Sequence, residues 1–158
     1  MASATLIVRR ASKDDAAAMA ILHRTAFADG WSAPAFRKLI ETPSSVGFVV
    51  EDLDADTLRA LILIQIATDQ SEILTIATAP SLRRQGLART LLLAAGKEAA
   101  ARGAAEMFLE VAESNDAARG LYQGLGFAAS GTRRNYYRNR SGGSTDALIF
   151  RARLPLEA

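Results

Sequence analysis

The spacing of apolar residues along the chain predicts alternating strands and amphipathic helices. The apolar runs SVGFVVED at 45–52 and LRALILIQIA at 58–67 predict two strands, which the turn LDAD joins as a hairpin. Over 12–28, apolar side chains recur at helical spacing, and Ser12 with Asp15 three residues on resembles a capping box. The chain therefore combines both kinds of element.

The same criteria predict the remaining elements. Further strands are predicted for TLIVRR, EILTIAT, AEMFLEV, FAASGTRRNYYRN and STDALIFRARL, and further helices after Pro34, from Gly86 to about Arg102, and over SNDAARGLYQGLG. The resulting order is β-α-α-β-β-β-α-β-α-β-β. With no repeat, linker or low-complexity tract, this order predicts one α/β domain over residues 1–158, with helices covering a mixed sheet.

Composition narrows the classes of function. The chain has 158 residues, of which 49% are hydrophobic, and no apolar run approaches the ~18 residues that span a bilayer. Since no secretory signal is visible either, we expect a soluble, cytoplasmic protein without a membrane partner. With no cysteine and a single histidine, His23, the chain has neither thiolates nor a histidine pair for a metal, so no metal is expected. His23 is interpreted as a packed helix residue.

Two charge patterns in the sequence bear on ligand binding. Residues 1–78 carry a net charge of −3 and residues 79–158 a net charge of +5, so the second half could attract a polyanion, although the bias toward arginine has an equally good explanation in codon usage. No basic stripe interleaved with aromatic residues is present, so no nucleic-acid partner is expected. Asp52, Asp54 and Asp56 alternate as in a calcium loop but lack its glycine and glutamate, and are interpreted as a solvated turn.

The segment SLRRQGLARTLLLAAG, residues 81–96, places two arginines and a glycine just before a predicted helix. It fits neither the Walker A motif nor a dinucleotide fingerprint. The first amides of a helix have no partner within it, and Arg83 and Arg84 can add charged hydrogen bonds, so the segment could bind an anion. An ordinary turn with two solvated arginines explains the residues equally well.

The pattern R-x-x-G-x-A at Arg83, Gly86 and Ala88 resembles the acetyl-CoA pyrophosphate loop of the GCN5-related N-acetyltransferases. A second segment, SNDAARGLYQGLGF at 114–127, resembles another signature of that family, and the predicted element order is similar to its fold. The resemblance spans about residues 5–154. It implies acetyl-CoA as the co-substrate, held by the loop formed by Arg83, Arg84, Gln85, Gly86, Leu87 and Ala88.

Within this family, the segments TIAT, RRQGLA, FLEVAESNDAARGLYQGLGF and TRRNYY look like the ribosomal-protein-alanine N-acetyltransferases. This resemblance implies an enzyme that transfers acetyl to a protein N-terminus, the alanine of a small-subunit ribosomal protein, by direct attack in a ternary complex. Two alternatives stay open. One is a family member acting on a small amine or another protein, and the other is a non-catalytic sensor that binds acyl-CoA.

Two side chains are candidates for acid-base chemistry. Glu110 is an isolated charge in the apolar strand MFLEV, which fits an edge-exposed group, a salt-bridge partner or a functional base. Tyr122 lies on the apolar stripe of a helix, as a core tyrosine would. The resemblance implies that Glu110 is the general base and Tyr122 the general acid, with Glu72 and Glu113 as reserve candidates for the base.

Further residues are candidates for binding the substrates. Asn115 could be a helix N-cap, and the resemblance adds a hydrogen bond to the cofactor arm. The resemblance also implies that the backbone of Ile76 and Thr78 pairs with the pantetheine amides. Trp31, Tyr136 and Tyr137 are candidate walls of the peptide site, although aromatic residues buried between layers would give the same pattern.

Overall fold

A computed structural model of the protein describes residues 5–138 and 143–157. The order of helices and strands confirms the predicted one. Within the described ranges the elements are β1 (Leu6–Arg10), α1 (Ala16–Ala26), α2 (Ala33–Glu41), β2 (Ser45–Asp52), β3 (Thr57–Ala67), β4 (Gln70–Thr78), α3 (Leu87–Ala101), β5 (Glu106–Ala112), α4 (Asp116–Gly124), β6 (Ala128–Arg138) and β7 (Ser144–Arg153). Single 3₁₀ turns precede α1 and α3.

The strands form one seven-stranded sheet in the order β1-β2-β3-β4-β5-β7-β6. The ladders β1–β2, β2–β3, β5–β7 and β6–β7 are antiparallel, whereas β4–β5 is parallel. This confirms the predicted mixed α/β class. The last strand of the chain, β7, lies between β5 and β6, so side chains of β5 and β6 are brought near each other across it.

The chain divides into two compact units, which are described separately. The first comprises Met1–Ile66 and Leu74–Ala95. Its core is formed where α1 and α2 pack on the sheet, because each helix turns one apolar face inward. The buried residues of this core include Met19, Leu22, Phe36, Val49, Leu61, Leu63 and Ala77.

The second unit comprises Ala67–Ile73 and Gly96–Ala158. In β5, Met107, Leu109 and Val111 are buried and the residues between them are half-buried. This is the period-two pattern expected of a strand with one face on a core. Tyr122, Leu125, Phe127 and Phe150 complete the buried cluster.

The start of the first helix differs in detail from the prediction. The Asp15 carboxylate accepts a hydrogen bond from the Ser12 backbone N–H at 2.7 Å, as in a capping box, but the chain first makes the 3₁₀ turn Lys13–Asp15 and α1 begins at Ala16. Arg9 also donates to Asp15, at 2.8 and 2.9 Å, and to Glu51 at 2.8 Å. The hydrogen bond from Arg9 lowers the pKa of Asp15.

The interpretation of the β2–β3 turn as a solvated one is wrong for Asp52. Its side chain is buried, with one oxygen accepting the backbone N–H groups of Asp54 and Ala55 and the other accepting Arg59 at 3.0 Å. The hydrogen bond from Ala55 is the main cause that lowers the pKa of Asp52. The buried Asp52 carboxylate therefore stabilises the β2–β3 turn through these hydrogen bonds, whereas Asp54 and Asp56 are exposed.

Candidate active site

The predicted phosphate loop lies in the first unit, between β4 and α3. After the 3₁₀ turn Pro80–Leu82, the backbone is left-handed at Arg84, with φ +65°, and again at Gly86, with φ +80°. A non-glycine residue in this region costs about 1–2 kcal/mol. Such conformations concentrate at functional sites, where they aim backbone N–H groups at a ligand.

The helix behind this loop presents amides that its own hydrogen bonds do not use. The Thr90 N–H donates to the Gly86 carbonyl at 3.0 Å, so the helical ladder begins there. The amides of Leu87, Ala88 and Arg89 precede the first helical bond. A Cβ built on Gly86 would meet no atom within 4 Å, and residues 83–86 are exposed. The loop thus offers amides and two guanidinium groups to an anion.

Strand β4 carries Ile76 and Thr78 on its half-buried face, alternating with the buried Thr75 and Ala77. Its parallel ladder with β5 consists of three residue pairs and ends where Glu72 lies opposite Phe108, although β4 continues to Thr78. The backbone of Ile76 and Thr78 lies beyond that ladder. This is the part of β4 for which pairing with an extended amide ligand is predicted.

Trp31, a candidate wall of the peptide site, is held by His23. The Trp31 backbone N–H donates to His23 Nδ1 at 2.9 Å, so the other ring nitrogen carries the proton and Nε2–H donates to the Thr75 hydroxyl at 2.8 Å. The imidazole is 2% exposed and contacts the rings of Phe27, Trp31 and Phe36. Burial lowers the pKa of His23. The interpretation of His23 as a packed residue is confirmed, and it also joins the Trp31 segment to β4.

In the second unit, Glu110 forms an ion pair with Arg133 of β6. The Arg133 guanidinium donates to Glu110 Oε1 at 2.8 Å, and its carbon lies 3.9 Å from the centre of the Tyr136 ring. One cation thus links the candidate base to a candidate wall of the peptide site. The Glu110 side chain is 25% exposed, so it is accessible without being fully solvated.

A bulge in β6 lies between Arg133, which contacts Glu110, and Tyr137. The register shifts between Arg133 and Tyr137, and Asn135 within the shift has a left-handed φ of +55°. The Asp146 carboxylate accepts the Asn135 N–H at 2.8 Å, and the Ser144 hydroxyl donates to the Asn135 side chain at 2.8 Å. These bonds compensate the ladder bonds that the bulge removes.

Asn115 and Tyr122 lie on α4. The Asn115 side chain accepts the Ala118 N–H at 3.2 Å, which confirms the predicted N-cap. The Tyr122 ring is 6% exposed and packs edge-on to Phe127 and Phe150. Phe150 lies opposite Leu109 in the β5–β7 ladder, so the tyrosine packs on the sheet face opposite to the one that carries Glu110.

The other candidates have simpler environments. Glu72 and Glu113 are exposed, and Glu113 and Asp146 help to line an open hollow with Ser114, Ser144 and Thr145. The side chain of Tyr137 lies outside the described residues. In residues 5–138 and 143–157, no group of three or more His, Cys, Asp or Glu side chains could hold a metal ion. Within the same part of the chain, no helix is both long and apolar enough to cross a membrane.

The sequence profile of the Acetyltransferase (GNAT) family matches residues 16–127, which include the loop, β5 and α4. The chain belongs to this family. Its resemblance to the ribosomal-alanine members is confirmed by a 41% identity over 93 residues to the ribosomal protein bS18-alanine N-acetyltransferase of Escherichia coli, covering 59% of this chain and 62% of that protein. The alignment thus spans less than two thirds of that relative.

The alignments with one further GNAT relative and with a solved structure cover both chains more fully. The Haemophilus influenzae protein of the same name is 31% identical over 113 residues, which cover 72% of this chain and 68% of that protein. The crystal structure of the Escherichia coli ribosomal-protein-S18-alanine N-acetyltransferase superposes with a TM-score of 0.86 and 31% identity, covering 95% of this chain and 94% of that one. This chain therefore shares its fold with that enzyme over nearly the whole length of both chains.

Sequence reasoning missed the ion pair of Arg133 with Glu110 and the hydrogen bonds by which His23 joins Trp31 to Thr75. Arg133 is one of several arginines in RRNYYRNR, and nothing in that run distinguishes it from Arg134. The salt-bridge interpretation left open for Glu110 is confirmed, but its partner depends on the strand order. The catalytic and substrate-binding roles of the candidate residues stay predictions.

Proposed function

We propose that this protein transfers an acetyl group from acetyl-CoA to the N-terminal α-amine of a protein, with an alanine of a small-subunit ribosomal protein as acceptor. The observation that carries the proposal is the likeness to the Escherichia coli ribosomal-alanine enzyme over nearly the full length of both chains. The site residues described above support the chemistry.

The loop before α3 fits the phosphates of acetyl-CoA. Left-handed backbone at Arg84 and Gly86 is typical of loops that bind anions through their amides, the start of a 15-residue helix favours negative charge, and the space beside Gly86 is open. Ile76 and Thr78 would hold the cofactor arm through their backbone, and Asn115 through its side chain. Bound acetyl-CoA supplies an acetyl group activated as a thioester.

Glu110 would accept the proton that the amine loses as its nitrogen forms the new C–N bond. A carboxylate in this role is typically worth about 10²–10⁴-fold in rate. An α-amine has a pKa of about 7.7–8.0, against about 10.4 for lysine, so near neutral pH it is uncharged a few hundred times more often. An N-terminus is therefore the easier nucleophile for a site with one carboxylate.

Tyr122 would give its phenolic proton to the sulfur as the C–S bond breaks, so that the products are an acetylated amine and a free thiol. A phenol of pKa near 10 is a suitable donor to a thiolate whose acid has a pKa near 8.5. Trp31, Tyr136 and Tyr137 would form the walls around the entering peptide.

The test is mass spectrometry of the protein with acetyl-CoA and two peptides. One peptide has a free N-terminal alanine, and the other is blocked at its N-terminus and carries an internal lysine. We expect one acetyl group on the first peptide and none on the second. Acetylation of neither peptide, with CoA still bound, would favour a small-amine substrate or the acyl-CoA sensor.

The roles of the two residues are tested with matched variants. Glu110→Gln is expected to lower kcat by about 10²–10⁴-fold, whereas Glu113→Gln, which changes an exposed carboxylate just beyond the end of the same strand, is expected to have little effect. Tyr122→Phe keeps the ring packing and removes only the hydroxyl. Normal turnover by Glu110→Gln or Tyr122→Phe would show that the role assigned to that residue is wrong.

A further inference from the structure

We propose that Arg133 is a positioning residue that makes the acceptor site favour a neutral amine over an ammonium ion, by compensating the charge of Glu110. This inference rests on the proposed function and adds a residue that selects the protonation state of the acceptor. Its basis is the 2.8 Å ion pair between the Arg133 guanidinium and Glu110 Oε1.

The ion pair leaves the chemistry of Glu110 available. Arg133 bonds Oε1, and a carboxylate has lone pairs on both oxygens, so Oε2 can face an incoming amine. The hydrogen bond to Glu110 raises the already high pKa of Arg133, so the guanidinium stays protonated. A protonated guanidinium has no lone pair that could accept the proton of the amine. Arg133 also stacks on Tyr136, so the cation stays over the wall of the peptide site.

A lone carboxylate would work against the reaction that it serves. An opposite charge within about 4–6 Å favours the charged form of an amine and raises its pKa by about 1–3 units. The bound acceptor would then be held as an ammonium ion, which has no lone pair for attack on a thioester. A guanidinium already paired with the carboxylate offsets this effect and disfavours a second cation beside it.

The other charged groups around Glu110 within the second unit do not replace Arg133. On β5, Glu106 forms its own ion pair with Arg151 of β7 at 3.3 Å. The residue directly opposite Glu110 on β7 is the apolar Ile149, and on β4 the exposed Glu72 lies beside Phe108. Tyr122 of α4 packs on the other face. Among the described residues of this unit, the cation that contacts Glu110 is therefore Arg133.

The test compares the kcat–pH profiles of wild type, Arg133→Gln, Arg133→Lys and Arg134→Gln with the free-alanine peptide. The profile of kcat reports groups in the bound complex, including the acceptor amine. Since the Arg133 side chain is 52% exposed, we expect the acid limb of Arg133→Gln to move up by about half to one pH unit. At neutral pH its kcat then falls about 3–10-fold while the KM of the peptide stays equal or falls.

Two controls separate charge from structure. Arg133→Lys keeps the charge and should keep the wild-type profile. Arg134→Gln removes the same charge from the exposed neighbouring residue and should leave the profile unchanged. Circular dichroism checks folding, and Arg133→Met, which keeps much of the stem, replaces Arg133→Gln if the latter does not fold.

The outcomes are distinct. A kcat–pH profile of folded Arg133→Gln that coincides with the wild-type one would overturn the inference, as would a uniform loss of kcat with a raised KM in both Arg133→Gln and Arg133→Lys, since that describes lost structure. Failure of wild type to acetylate the free-alanine peptide would instead refute the proposed function. Wild type therefore tests the proposed function, and the Arg133 variants test the further inference, in the same experiment.

Discussion

Two glycines allow the functional role of the GNAT loop to be separated from glycine's general effect on stability. A Cβ built on Gly86 or on Gly120 would meet no atom within 4 Å, so neither Gly→Ala change creates a clash. The backbones differ, because Gly86 has a φ of +80° whereas Gly120 lies inside α4 without a positive φ. Alanine at 86 is therefore expected to cost about 1–2 kcal/mol, and alanine at 120 to stabilise by about 0.5–1 kcal/mol.

Two measurements reveal where the cost at Gly86 appears. Urea unfolding gives the free energy of unfolding, and calorimetry gives the affinity for CoA. If the loop of Gly86→Ala keeps its left-handed turn, the free energy of unfolding falls by about 1–2 kcal/mol and CoA binding is preserved. If the exposed loop relaxes instead, unfolding is unaffected and CoA binds about 5–30-fold more weakly.

The paired design makes the reasoning refutable. Gly86→Ala with both the free energy of unfolding and the CoA affinity of wild type would show that the left-handed turn is neither costly for alanine nor needed by the ligand. Gly120→Ala with an equal loss would show that the effect does not depend on φ. In either case the assignment of this loop to phosphate binding would lose its structural basis.

Three further predictions concern single interactions. Because burial lowers the pKa of His23, the unfolded chain takes up a proton that the folded chain does not as the pH falls below about 6.5. The free energy of unfolding should therefore fall by up to about 1.4 kcal/mol for each pH unit below that value. Urea titrations at about pH 7.5 and about pH 5.5 check this, and His23→Asn should lose that dependence. Asp146→Ala removes the acceptor of the Asn135 N–H and should raise the KM of the peptide several-fold without changing that of CoA, whereas Asp146→Asn keeps an acceptor and most of the activity in steady-state assays. Asp15→Asn weakens the pair with Arg9 and should lower the free energy of unfolding, measured with urea at neutral pH, by about 1–2 kcal/mol. Because the pKa of Asp15 is lowered from 3.8, the difference in stability between wild type and the variant should shrink as the pH falls below that value.

The elements were predictable because their signals are local. The range of β2 was predicted without error, and α4 and β5 were predicted to within two residues, since apolar periodicity and flanking turn residues belong to the segment itself. The alternation in β5 also predicted correctly that Glu110 faces away from Leu109. The 3₁₀ turn before α1 was missed, and so was the hydrogen bond from Arg9 of β1 to Asp15 at its end, which involves a residue of another element.

The strand order could not be read in the same way. Nothing local in the last two strands states that β7 inserts between β5 and β6, yet this insertion brings Arg133 to Glu110 across 23 positions of sequence. The bulge at Asn135 is equally hidden, because it requires an acceptor from Asp146 on the neighbouring strand. Contacts of this kind depend on register, which a single sequence specifies only through its complete set of pairings.

The environment of Glu110 shows why the interpretations of an isolated carboxylate need not exclude one another. With 25% of its side chain exposed, Glu110 is accessible to a substrate, and with Arg133 at 2.8 Å it is also a salt-bridge partner. An exposed ion pair contributes at most about 1 kcal/mol to stability, so stability alone is a weak reason to place an arginine there. The same pair also matters for an amine that binds beside it, because the guanidinium offsets the attraction of the carboxylate for an ammonium ion. The confirmed salt bridge and the proposed base are therefore compatible, since Arg133 bonds Oε1 and leaves Oε2 open to the amine.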